Sequence, residues 1–227
     1  MRIAFLLYDQ LTQLDMTGPA QVLSRMPGVS VDYVAKTMDP VMSDCRLALV
    51  PTATLAGSGQ YDLLCVPGGY GCSEAMNDPE ILDWLRSQAP GLTWITSVCT
   101  GSLILAAAGL LTGRRAACHW AWGEYLPLFG AAYVPERTVF DGNFITAGGV
   151  TSGIDFAFRV VEHLHGPAAA ATLRLALEYD PESRAGGTPA TARPEILSNV
   201  KAMIAERLGH RDAEMRAAAA RLTGEKP

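Results

Sequence analysis

The run IAFLLY at residues 3–8 constrains the fold more than any other stretch of the chain. It has no polar alternation, so as a strand it must be covered on both faces, which calls for helices on either side of a sheet. VDYVA (31–35), YDLLCVPGG (61–69) and TWITSV (93–98) supply further strands, the third ending in a turn at Pro67-Gly68-Gly69. Helix-length segments alternate with them. TGPAQVLSRM (17–26) offers Thr17 as N-cap and Pro19 in the first turn, and DPEILDWLRSQA (78–89) has an Asp cap, an early proline and an acidic start. TWITSV leads into a small-residue, Leu/Ala-rich helix that closes near Gly109. Asp141-Gly142 within TVFDGNFITAGG (138–149) signals a hairpin, and TSGIDFAFRVVEHLHG (151–166) reads as a helix capped by Thr151 and closed at Gly166. An Ala-rich helix follows to about Glu178. Repeated strand-then-helix order predicts an α/β layered fold with a mostly parallel sheet. We expect a single domain over 1–227. Its last part, 180–227, is an irregular Gly/Pro/Ala-rich segment followed by helices near 195–208 and 210–222, packed on the outside or on a partner.

Charge and cysteine usage narrow the function. A formal net charge of −5 offers no basic face for nucleic acid. Five cysteines, at 45, 65, 72, 99 and 118, make an odd count without paired spacing, which argues for a reducing, cytoplasmic setting. The N-terminal apolar run is too short for a signal segment or a membrane span. No nucleic-acid or membrane partner is expected.

Cys99 stands at the joint between TWITSV and the helix opened by Thr100, Gly101 and Ser102. Ligands of doubly wound sheets bind outside the carboxyl ends of the strands. A helix N-terminus presents unpaired N–H groups and a positive dipole end, so a cysteine there is expected to have a lowered pKa. The joint has the form of a nucleophile elbow. The plainer reading is an inert buried thiol. Cys45 (loop or edge), Cys65 (strand) and Cys118 (apolar run) fit that reading, and Cys72 could lie near the crevice. Asp15, in the loop after the first strand, opens at the same sheet edge, or is a solvated or capping carboxylate. His119 could reach the site or be structural. His163 and His165 point to different faces, and with His210 in the tail they give no metal-ligand spacing. Gly68 and Gly69 match no phosphate loop. Backbone N–H groups of the 69–70 turn with that of Thr100 could form an anion hole, or the segment is a tight turn. Gly148, Gly149, Val150 and Thr151 repeat the strand-to-helix switch and could line the same pocket. The Ala/Arg-rich tail helix reads as a solvated or dimer-packing face.

PGGYG (67–71), TSVCTGSLILAAAGLLTGRRA (96–116), HWA (119–121) and DGNFITAGGVTSGIDFAF (141–158) together resemble the DJ-1/PfpI superfamily. Within it they are similar to isocyanide hydratases and to the amidotransferase-like domains of AraC-type regulators. LTQLDMTGP (11–19) and LEYDPESRAGGTPATA (177–192) resemble the hydratases more closely. The resemblance implies a three-layer, flavodoxin-like sandwich of the kind shared with class I glutamine amidotransferases. It implies a homodimer that hydrates isocyanides to N-substituted formamides with no metal or organic cofactor. Cys99 would attack as thiolate, Asp15 would be its acid/base partner and Thr100 would orient one of them, by way of a thioimidate. Gly69, Tyr70, Gly149 and Val150 are the expected substrate contacts. The peptidase-like members place a histidine directly after the nucleophile; Thr100 stands there instead, so that dyad is absent. Two rivals remain: a DJ-1-like protein whose Cys99 oxidises to sulfinate, and a ligand-sensing regulator module. The second is expected least, because such regulators continue into a helix-turn-helix domain and this chain of 227 residues carries a charge of −5.

Overall fold

A computed structural model describes residues 1–182, 186–209 and 211–224. The chain begins with β1 (Arg2–Leu6), α1 (Gln13–Leu23) and β2 (Ser30–Ala35). A small flap of β3 (Val41–Met42) and β4 (Ala48–Leu49) precedes β5 (Ala53–Thr54), β6 (Leu63–Val66), α2 (Cys72–Ala75) and α3 (Pro79–Gln88). Next come β7 (Trp94–Val98), α4 (Gly101–Ala107), and the short pair β8 (Arg115–Ala116) and β9 (Ala132–Tyr133). β10 (Thr138–Asp141), β11 (Phe144–Ala147), α5 (Ser152–His165) and α6 (Pro167–Ala176) follow, then α7 (Pro194–Leu208) and α8 (Arg211–Thr223).

Seven strands form one sheet in the order β10-β11-β7-β6-β1-β2-β5, parallel except for β10 at its edge. β6 and β11 are buried throughout, and β1 and β7 along all but their first residue, as unbroken apolar runs require. Helices α1, α5 and α6 pack together in one outer layer, and α2, α3, α4 and α8 in the other. This is the expected three-layer α/β sandwich. The chain leaves β1 toward β2 on one side and later fills β6, β7 and β11 on the other, so the strand order reverses at β1/β6. That is where doubly wound sheets open a ligand crevice.

Four expectations need correction. The first helix begins at Gln13, four residues before Thr17, and Pro19 lies inside it. A proline suits a first turn, and that preference misplaced the start; Thr12 caps the helix without a side-chain bond, so its signal is faint. Asp15 therefore sits in the first turn of α1 and not in a loop. The hairpin turns on Gly142-Asn143, with Asp141 still paired to Phe144 and Gly142 at φ +61°. The tail helix α8 is no solvated face, since Met215, Ala218 and Ala219 are buried against this chain's own core. His210 lies outside the described residues.

α1 and α5 approach closely because residue 18 is glycine: a Cβ there would stand 3.0 Å from Ile154 Cγ1. Gly18→Leu should lower stability by about 1–3 kcal/mol, the usual range for overpacking. Urea unfolding measures it, and an unchanged midpoint would mean the two helices have slack there.

Candidate active site

Three strand ends build the site. Cys99 follows β7 with φ +58°, a left-handed conformation uncommon outside glycine. Its N–H donates to Gly148 O at 2.7 Å and to Ala147 O at 3.1 Å, so the turn is tied to the end of β11. Neighbouring glycines make room for it. A Cβ on Gly101 would run into the Val66 carbonyl, and one on Gly68 would stand 2.5 Å from the Thr100 nitrogen. The strained turn and its glycine neighbours give the joint the tight strand-to-helix geometry of an elbow.

Asp15 reaches this corner from α1. Its Oδ2 accepts the Gly68 N–H at 2.9 Å, while Oδ1 is buried with no hydrogen-bond partner among the described residues. The Cys99 thiol lies against the carboxyl and favours its charged form. Burial outweighs both interactions and pushes the Asp15 pKa up to about 7. Cys99 is only 5% exposed, and burial, followed by the Asp15 charge, pushes its thiol well above the ordinary range. This reverses the lowered pKa expected from the helix N-terminus. The Thr100 N–H bonds the sulfur and pulls the other way, but desolvation and the neighbouring carboxylate prevail. The free site thus holds a protonated thiol beside a carboxyl that ionises near neutrality.

The other expected groups divide. Thr100 is adjacent, but its hydroxyl accepts from the Gly69 N–H at 3.1 Å rather than orienting Asp15. With the Gly68 N–H on Asp15 and the Gly69 N–H on Thr100, the first two amides of the glycine turn are not available as an anion hole. Gly69, Tyr70 and Val150 line a cavity of about 340 Å³ together with Cys99 and Thr100. Gly149 does not line it; it stands behind His119, whose Cδ2 would lie 3.3 Å from a Cβ at that position. Cys72 is buried and donates to Thr100 O at 3.3 Å; burial pushes both it and Cys118 up to about 12. Cys45 is exposed and Cys65 buried, as their places in the chain suggested. His163 packs edge-on to Trp94, its ring centroid 5.0 Å away. Among the described residues no cluster of His, Cys, Asp or Glu could hold a metal ion, and no helix is long and apolar enough to cross a membrane.

The wall also holds His119, which the sequence left open between site and structure, and several residues that the sequence reading missed. His119 Nδ1 accepts the Ala121 N–H at 3.3 Å, and burial lowers its pKa, so the ring is neutral with its proton on Nε2. Trp120 and Trp122 join it, and Thr12 and Asp44 come from the loops beside β1 and β3. Thr12 Oγ1 donates to Asp44 Oδ2 at 2.6 Å. Val200, Met203 and Ile204 arrive from α7, just over a hundred positions beyond the elbow in the chain. The cluster HWAW hinted at the tryptophans; nothing local to α7 marks its residues as wall.

A model of the DJ-1/PfpI family matches residues 1–163. The chain is 44% identical over 223 residues to an isonitrile hydratase of Pseudomonas putida, covering 98% of both sequences. It is 28% identical over 161 residues to the glutathione-independent glyoxalase DJR-1.2 of Caenorhabditis elegans, covering 70% of this chain and 86% of that one. A crystal structure of a ThiJ/PfpI family protein from Pseudomonas syringae superposes with a TM-score of 0.90 at 38% identity, covering 96% of this chain and 90% of that one.

The Asp15 pKa has a sign that stability should reveal. The folded state holds this proton up to about pH 7 and the unfolded chain releases it near 3.8. Between those values the native state binds more protons, so stability falls as pH rises and levels off above 7. Relative to Asp15→Asn, the wild type should lose up to about 1.4 kcal/mol per pH unit across that window. Urea unfolding of both proteins at several pH values measures it, and parallel curves would show an ordinary carboxylate.

Proposed function

The chain belongs to the DJ-1/PfpI family, and on that premise we propose that it is an isocyanide hydratase, turning R–N≡C and water into an N-substituted formamide. The observation that carries the reading is the pair in the corner: a buried thiol facing a carboxyl that has one free oxygen and a pKa of about 7. The terminal carbon of an isocyanide takes up both a nucleophile and a proton, and this pair supplies one of each. The identity of 44% over 98% of a protein named isonitrile hydratase supports the same chemistry.

Above pH 7 the pair holds a single proton, on sulfur, and Asp15 is a carboxylate. Asp15 takes that proton as sulfur bonds to the terminal carbon, then delivers it to the same carbon. The product is a thioimidate, R–N=CH–S–Cys99. Asp15, again anionic, draws a proton from water as the water oxygen attacks this carbon, and passes that proton to the nitrogen. The adduct R–NH–CH(OH)–S–Cys99 then breaks its C–S bond, its hydroxyl proton returns to sulfur, and R–NH–CHO leaves. No step calls for a metal or an organic cofactor. Thr100 takes part through its backbone N–H, which steadies charge on sulfur, while its hydroxyl pins Gly69. Gly69, Tyr70 and Val150 contact the substrate, and Gly149 acts from behind His119. Five free cysteines suit the reducing cytoplasm, and the family resemblance supports a homodimer as the working unit.

An oxidation-sensing role fits less well, because redox-sensing cysteines are accessible and of low pKa, whereas Cys99 is neither. A regulator's sensing module also fits less well, because this chain is 33% identical to the transcriptional regulator CdhR of Pseudomonas aeruginosa over 58% of its length, against 44% over 98% for the isonitrile hydratase.

Formamide formation from a simple isocyanide, followed by ultraviolet absorbance, tests the reading. Cys99→Ala should abolish turnover with the fold intact, and Asp15→Asn should cut kcat by about 10²–10⁴. Because Asp15 must be ionised to accept the thiol proton, kcat/KM should fall as pH drops below about 7. Wild-type turnover by Cys99→Ala would exclude the covalent route.

A further inference from the structure

Resting on the hydration reading, we infer that the site selects uncharged isocyanides with a bulky apolar substituent, and that Val200, Met203 and Ile204 set this preference. α7 carries apolar residues at 196, 197, 200, 203 and 204, a stripe along one helical face. In a surface helix such a stripe normally sinks into the core. Here none of the described side chains of α7 is buried, and Met203 remains 53% exposed. The middle of the stripe faces the cavity that holds Cys99. Its apolar surface is left for whatever enters, and an apolar substituent extending from a carbon bound at Cys99 would cover it. Trp120 and Trp122 add flat apolar wall to the same cavity.

Charge sharpens the choice. Asp44 is the one formally charged side chain among the described residues of the wall, and no lysine or arginine joins it. Its Oδ2 is held by Thr12 Oγ1. His119 contributes a neutral ring. Arg211 lies over the Tyr70 ring, 6.0 Å from its centroid, and is not part of the wall. A carboxylate on the substituent would meet Asp44 in a partly dry cavity with no cation among the described wall residues to offset it.

Four probes separate the possibilities with the full-length protein: methyl isocyanide, benzyl isocyanide, isocyanoacetate and its methyl ester. In the wild type, kcat/KM should favour benzyl over methyl, and the ester over the acid by about a hundredfold, a discrimination typical of an unpaired polar group in a closed site. The benzyl-to-methyl ratio should fall about tenfold in Met203→Ala and in Ile204→Ala, as lost pocket contact predicts. Val200→Trp adds bulk and should invert the ratio, so loss and gain of volume are read separately from any general loss of activity. Asp44→Asn should narrow the gap between ester and acid. Hydration with a benzyl-to-methyl ratio indifferent to all three α7 variants would overturn the assignment of these residues. Equal turnover of acid and ester would overturn the selection against charge. Failure of every probe would remove the hydration reading, and this inference with it.

Discussion

Everything at the site depends on two backbone turns being pressed together with no room for side chains between them. The loop after β6 and the elbow after β7 meet at Gly68 and Gly101, where a Cβ would strike the Thr100 nitrogen on one side and the Val66 carbonyl on the other. That approach fixes the left-handed Cys99, and it also presents the Gly68 N–H to Asp15. Thr100 locks the arrangement from the other direction by accepting from Gly69. Nucleophile, carboxyl and oriented amide are thus one mechanical unit drawn from three strand ends.

The electrostatics follow from how dry that unit is. A helix N-terminus contributes roughly 0.3–1 kcal/mol to a nearby anion. Removing a thiolate from water costs more, and a carboxylate beside it adds repulsion. The two groups cannot both be charged in the same apolar corner, so they hold a proton between them. Shared protonation of this kind suits a reaction in which one carbon must receive sulfur and hydrogen together.

Much of this was legible from residues alone. Unbroken apolar runs at 3–8 and 93–98 identified central strands, because only a doubly covered strand tolerates them. Asp78 followed by Pro79 marked α3 to within a residue or two, and Asp78 does accept the Glu80 N–H. Cys99 and Asp15 were placed at one sheet edge by topology alone. What could not be read depends on burial and on distant contacts. The two-residue strands β3, β4, β5, β8 and β9 carry no period. The sign of the Cys99 shift required knowing how much water reaches it. Asp44 and the α7 residues join the cavity only through tertiary packing, which leaves no mark in local spacing.

The reacting pair and the residues that receive the substituent come from parts of the chain with different obligations. Cys99 and Asp15 are buried at the sheet edge, and the glycines beside them, Gly68 and Gly101, have no room for a side chain. None of the described side chains of α7 is buried in the interior. Lineages descending from a common ancestor can therefore drift at 200, 203 and 204 and acquire new diets without endangering the scaffold, since evolution there is released from the burden of keeping the protein folded.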